Sequence, residues 1–269
     1  MLVSPLRLPQ LLRRLRLAAS FFFLPLLALT APPVGTKPAP LHLQVRPVAP
    51  DVYVHTSYHR YPGSAAPVPS NGLIISTKTG ALIVDTAWDS DQTMELLRWV
   101  ADSLHQRVRL VVVTHAHEDR LGGLALLQAN HIKVYSTPLT AKRAESLSLG
   151  TPTPAIKDYT LIRAGRTRLE LYFPGPGHAP DNIVAWLPQQ RVLFGGCLVK
   201  GADATALGNI DDANLRQWPA AVRQVAARYP AATVVVPGHG QWGGPDLLTH
   251  TLELLHAPGK APQTALNGQ

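Results

Sequence analysis

The chain has 269 residues, of which 46% are hydrophobic and 16% charged. That composition supplies a full core and excludes a disordered protein, and the length suits one large domain or two small ones. The formal charge of +8 includes Arg7, Arg13, Arg14 and Arg16; the remainder is 21 basic against 17 acidic residues, with no later Lys/Arg cluster interleaved with aromatics, so nucleic acid is set aside as a partner.

The first 31 residues hold those four arginines and no Asp or Glu. A basic segment, RLPQLLRRLR, precedes an apolar one, LAASFFFLPLLALTA, the order of a signal peptide. The apolar stretch is shorter than the ~20 residues of a membrane span, and Pro25 interrupts it. Cleavage is expected near Ala31, leaving no stable membrane anchor. Residues 32–42 then form a mobile leader, 43–257 the folded domain and 258–269 a tail. Export predicts a periplasmic protein, a monomer in this reading. Cys197 is the one cysteine, so no intrachain disulfide forms.

LHLQVRPV and VYVHTSY alternate as strands do, and YHRYPGSAAPVPSNG reads as a long loop. GLIIST and ALIVDT form a hairpin across KTG. SDQTMELLRWVADSL is a capped helix. RVRLVVVTH is a buried strand, LGGLALLQAN the helix after it, IKVYST a strand and PLTAKRAESLSL a helix. In the second half TRLELYFPG, NIVAWLP and RVLFGG are strands, DDANLRQWPAAVRQVAARYP a helix, ATVVVPG a strand and GPDLLTHTLELLHA a final helix. Grouped strands with interspersed helices predict an α/β fold with two sheets face to face and helices outside.

Four strand ends deliver metal-ligand residue types. Val111–Val113 leads to His115, His117 and Asp119; YFPGPGH leads to His178; VLFGG leads to Cys197; VVVPGH leads to His239. Spacing of two puts His115 and His117 on one side of an extended segment, and Asp119 continues that side. Burying such groups unpaired costs several kcal/mol, which a cation removes. Imidazole, carboxylate and thiolate suit zinc. Six ligands are too many for one tetrahedral ion with an open position and right for two ions. His42, His59, His105, His131, His250 and His256 are read as ordinary loop or surface histidines.

THAHEDRLGG, GPGHAPDNIVAW, LFGGCLVK, LGNIDDANL and PGHG, with PSNGLIIS and LIVDTAWD, occur in this order from about Leu43 to Ala257. In that order they resemble the class B metallo-β-lactamases, the two-zinc subclass with a cysteine ligand. HxHxD alone marks only the wider hydrolase superfamily. The resemblance implies an αβ/βα sandwich of two mixed β-sheets with the site at one edge. It implies a first zinc on His115, His117 and His178 and a second on Asp119, Cys197 and His239. Between them a bridging hydroxide would attack the carbonyl of a β-lactam, the small-molecule substrate. Asp119, Lys200 and Asn209 would be the catalytic side chains, with Lys200 pairing the substrate carboxylate and Asn209 stabilising the oxyanion. Penicillins, cephalosporins and carbapenems are the expected substrates, and monobactams poor ones.

The SYHRYPGSAAPVPSNG segment falls where the family carries a flap over the substrate, so Tyr58, Tyr61 and Val68 are candidate apolar contacts, and Trp88 is read as a pocket wall. Arg120 is expected beneath the second zinc, balancing nearby carboxylates or the thiolate. Asp85 is either a partner that orients a ligand or the end of a strand. Glu118 points away from its neighbours if the segment is extended. Two rival functions stand beside this one. A thioesterase or lactonase of the same superfamily usually carries His where this chain has Arg120 and Asp where it has Cys197. A non-catalytic exported zinc-binding protein would not need Lys200 and Asn209.

Overall fold

The computed structural model describes residues 42–257, so the expected signal peptide, residues 32–41 of the leader and the tail lie outside the described residues. The first strands form a meander: β1 (Gln44–Ala49), β2 (Val52–His59), β3 (Val68–Ile75) and β4 (Ala81–Val84), each antiparallel to the one before. Helix α1 (Ser90–Leu104) crosses over to β5 (Val108–Val112), parallel to β4. Short helices α2 (Glu118–Leu121) and α3 (Leu124–Ala129) lead to β6 (Lys133–Ser136), and α4 (Pro138–Ser146) to the two-residue β7 (Thr153–Pro154). These seven strands make one mixed sheet in sequence order. The second sheet runs β12-β11-β10-β9-β8. Its members are β8 (Tyr159–Ala164), β9 (Thr167–Tyr172), β10 (Val184–Leu187), β11 (Val192–Gly196) and β12 (Val234–Pro237). Helices α5 (Trp218–Arg228) and α6 (Asp246–His256) complete it.

Alternation along the strands sorts the apolar residues into three layers. Leu73 and Ile75 of β3 face the second sheet, where they join Leu171, Ala185, Phe194 and Val236. Ile74, between them in sequence, faces the opposite way and packs with Leu96 and Val100 of α1 and Val111 of β5. On the far side Val184, Leu193 and Val235 pack under Trp218, Val222 and Val225 of α5 and Leu247 of α6. The order is therefore helices, sheet, sheet, helices, as expected from sequence.

Several boundaries differ from the sequence reading. The long loop is confined to residues 60–67, because β2 continues through His59 and β3 begins at Val68, pairing the two. The helix expected from LGGLALLQAN starts only at Leu124, after Gly122 and Gly123, and the short α2 ends just before those glycines. Gly122 passes so close to the Trp88 carbonyl that a Cβ there would collide with it. Helix α5 begins at Trp218 rather than at Asp211, with proline in its first turn, the position proline tolerates. The residues before it form turns instead, one of which carries Asp212. Strands β7 and β8 went unread: two residues carry no pattern, and β8, YTLIRA, is mostly exposed or half-buried with no clean alternation. No helix of the described residues is long and apolar enough to cross a membrane.

Candidate metal centre at the sheet edge

β5, β11 and β12 end at the same edge, and their carboxyl ends deliver His115–Asp119, Cys197 and His239. The loop between β9 and β10 adds His178. Backbone bonds cross between the sheets here: Ile183 N–H donates to Thr114 O at 3.0 Å, and Asn71 N–H to Gly238 O at 2.8 Å. Gly238 is obligatory at this crossing, because a Cβ on it would stand 2.6 Å from the Cys197 sulfur.

The structure brings all six predicted ligands together. His115, His117 and Asp119 converge, as do Asp119, Cys197 and His239, and as do His115, His178 and Cys197. His117 Nδ1 lies 3.1 Å from His115 Nε2 and 3.2 Å from His178 Nε2. With Zn–N bonds of ~2.0–2.1 Å, the edges of a zinc tetrahedron are about 3.3 Å. Asp119 Oδ2 lies 3.1 Å from His239 Nε2 and 3.9 Å from Cys197 Sγ.

The remaining nitrogens set the tautomers. Asp212 accepts from His117 Nε2 at 2.9 Å. The Pro69 carbonyl accepts from His239 Nδ1 at 2.6 Å. Thr114 donates its hydroxyl to Asp85, so it accepts from His115 Nδ1 at 3.1 Å. For His115 and His117 the outward nitrogen carries the proton and the inward one offers a lone pair, the state a metal ligand requires, while His239 turns its Nε2 to the same centre. His178 differs, since its Nδ1 is buried without a partner. This donor set fits a cation, zinc by its chemistry.

Charge reinforces the fit. Burial, helped by neighbouring positive groups, pulls His115 and His178 well below the ordinary histidine range and keeps them neutral. Burial works against the Asp119 carboxylate, yet Arg120 and His239 hold its pKa well below the usual range. Burial would lower His239, but Cys197 and Asp119 raise it to about 10. The Asp119–Cys197 side of the centre therefore draws positive charge to itself.

Arg120 is fully buried beneath that side, as expected from sequence. One terminal nitrogen meets Asp119 at 2.6 Å, Cys197 Sγ at 3.0 Å and the Gly238 carbonyl at 3.0 Å. The other donates to the Asn71 carbonyl at 2.6 Å and pairs with Asp85 at 3.3 Å. Asp85 directly follows β4 in a left-handed conformation, φ 64°, and also accepts from Thr114 N–H at 2.7 Å. Its side-chain partners are Thr114 and Arg120, both of which contact predicted ligands.

The predicted substrate contacts are placed unevenly. Lys200 is buried, with its ammonium 5.0 Å over the Trp218 ring, and burial lowers its pKa. Trp88 is nearly buried, stacked on His59 at 5.1 Å, with Tyr61 edge-on at 6.2 Å. Tyr61 is exposed, and burial of its ring together with Asp119 and Glu118 raises its pKa. Val68 is half-buried at the start of β3. Asn209 lies in an exposed turn, where its side-chain oxygen accepts from Asp211 N–H at 2.9 Å. Glu118 is exposed.

Three residues around the centre escaped the sequence reading: Asp181, Asp212 and Arg143. Asp181 is buried and accepts from Ala116 N–H at 2.9 Å, inside the His-x-His-x-Asp loop. Both aspartates sit in motifs already noted, three residues after His178 and three after Asn209. No local signal marks Arg143.

Fold and site together define a metal-binding hydrolase of the two-sheet sandwich type. A family model described as the metallo-beta-lactamase superfamily matches residues 65–239. A metallo-beta-lactamase type 2 from Bacillus sp. (strain 170) is 44% identical over 205 residues, 76% of this chain and 79% of that relative. One from Bacillus cereus is 43% identical over the same shares. The solved structure of a metallo-beta-lactamase from Pontibacter korlensis superposes with a TM-score of 0.76 at 48% identity, over 79% of this chain and 98% of that one. The chain belongs to the metallo-β-lactamase superfamily, among the class B enzymes, and Cys197 in the metal centre fits the cysteine-ligand subclass.

Proposed function

We infer that this enzyme is a zinc-dependent β-lactamase that hydrolyses the amide of penicillins, cephalosporins and carbapenems, and so confers resistance to them. The observation that carries it is the convergence of His115, His117, His178, Asp119, Cys197 and His239 at one edge of a chain similar along most of its length to type 2 metallo-β-lactamases.

Two ions are proposed, one on His115, His117 and His178 and one on Asp119, Cys197 and His239. Bound there, zinc supplies Lewis acidity toward a carbonyl oxygen and makes water acidic enough to be a nucleophile near neutral pH. The protein groups do the rest. Asp212, Pro69 and Thr114 hold imidazole lone pairs inward, and Arg120 offsets the carboxylate and thiolate charge. Lys200, desolvated above Trp218, recognises the substrate carboxylate. Asn209, whose side-chain oxygen accepts from Asp211 N–H, would keep its NH2 for donation to the oxyanion. Tyr61, Val68 and Trp88 form the apolar side. Water oxygen bonds to the lactam carbon, the carbon–nitrogen bond breaks, and the nitrogen takes up a proton. The signal-like N-terminus supports periplasmic action after cleavage near Ala31, and the reading takes the enzyme as a monomer with residues 43–257 as the catalytic domain.

The test is carbapenem hydrolysis by the purified protein before chelation, after it, and after zinc is restored. Loss and recovery of turnover are expected. Stoichiometric zinc with no turnover of any β-lactam would overturn the reading, and thioesters and lactones would be assayed next.

A further inference from the structure

Arg143 projects from α4, outside the six-ligand cluster, yet it reaches two carboxylates that both act on the His-x-His-x-Asp loop. Its Nε forms an ion pair with Asp181 Oδ1 at 3.3 Å, and its Nη2 one with Asp212 Oδ2 at 2.6 Å. The Asp181 contact is an ion pair too bent to count as a hydrogen bond, since neither atom finds a hydrogen-bond partner. Asp181 Oδ2 accepts from Ala116 N–H, between His115 and His117. Asp212 Oδ2 accepts from His117 Nε2. Asp181 belongs to the loop that carries His178, and Asp212 to the turns that follow Cys197 and precede α5. One guanidinium thus ties α4 to three loops.

The two carboxylates differ in what they need. The Asp181 side chain is fully buried, and burial raises its pKa, so a nearby cation favours its ionised form. The Asp212 side chain is 37% exposed in a turn and has no structural anchor besides Arg143 and His117 among its side-chain contacts. Without the arginine it is free to swing into water, and His117 loses the acceptor that fixes its proton on Nε2 and its lone pair on Nδ1. Arginine suits this task because its planar fork meets two carboxylates at once, which a lysine ammonium on one flexible stem does less well.

We propose that Arg143 is a positioning residue for the three-histidine site, orienting the imidazole of His117 through Asp212 and its backbone through Asp181. Its side chain meets Asp181 and Asp212 rather than any of the six metal-ligand candidates. The proposal rests on the reading of His115, His117 and His178 as a zinc site. Partners behind a metal ligand typically change affinity 10–100-fold; Arg143 stands one contact further out, so an effect of about tenfold is expected.

The experiment compares the whole protein with its Arg143→Ala variant, with Arg143→Gln read in the same way should the first fail to fold. Zinc dissociation constants come from competition with a chromophoric chelator. Imidazole 15N–1H spectra of the metal-free proteins report which nitrogen of His117 carries the proton. Zinc affinity about tenfold weaker, with the His117 proton shared between both nitrogens, is the expected result. Unchanged zinc affinity overturns the proposal. So does weakened affinity with an intact Nε2–H signal and a lowered thermal midpoint, the mark of a merely structural role. Failure of the unsubstituted protein to bind zinc would instead overturn the zinc reading itself, and the two failures are told apart by that control.

Discussion

Arg120 shows how one side chain sets the character of the centre. It is buried among Asp85, Asp119 and the Cys197 sulfur, so its charge is matched by groups that would otherwise be buried without a counterion. Removing one partner of a buried ionic group leaves the others uncompensated. Arg120→Ala is therefore expected to destabilise the metal-free protein by about 3–5 kcal/mol, read from urea denaturation. His55 makes a different demand. It is buried, with Nε2 against the Asp85 carbonyl at 3.1 Å, and burial lowers its pKa from 6.5 to about 4. The unfolded chain then binds a proton that the folded one refuses. The resulting stability is fully present above pH 6.5 and is lost as pH falls toward 4. Up to about 3 kcal/mol depends on it, and a His55→Gln variant should show a correspondingly shallower fall in its denaturation midpoint across that window.

At the level of elements, α1 is defined by local chemistry. Asp89 caps it, accepting from Gln92 N–H at 2.7 Å and from the Gln92 side chain at 2.7 Å. Gln92 in turn bonds both backbone polar groups of Tyr58 in β2. The cap thus fastens the helix to the strand that leads into the 60–67 loop. Asp89→Ala should cost about 1 kcal/mol in chemical denaturation, the usual value of a lost N-cap. Capping residues and 3.6-residue periodicity lie within a few positions of one another, and this helix was legible except that its cap is Asp89, one residue before the Ser90 the sequence suggests. The break in α2–α3 was not, because the obstacle at Gly122 is the backbone of Trp88, distant in sequence. The late start of α5 was signalled by its proline but hidden by polar residues before it that are equally at home in turns.

Across the whole molecule, the two sheets meet face to face and let strand ends from both halves converge at one edge. The first sheet supplies His115, His117 and Asp119, and the second His178, Cys197 and His239. Neither half holds all six. The inter-sheet core, from Leu73 and Ile75 to Phe194 and Val236, fixes that convergence, since close-packed interiors leave little room for sliding. Backbone bonds between Thr114 and Ile183 and between Asn71 and Gly238 fix the registry at the edge itself.

By itself the sequence determined the layered α/β class, the six candidate ligands and the metal they suit. Those facts reside in local patterns: alternation, helical spacing, and reactive side chains at strand ends. Lys200 and Arg120 were named from sequence, but their burial and partners came only from the fold. The tautomers of the histidines, the two sequence-distant carboxylates behind them, and the reach of Arg143 to both were decided by tertiary structure alone. The reason is physical. A hydrogen bond between His117 and Asp212, 95 residues apart, depends on how two loops are brought together, and no local pattern encodes that distance.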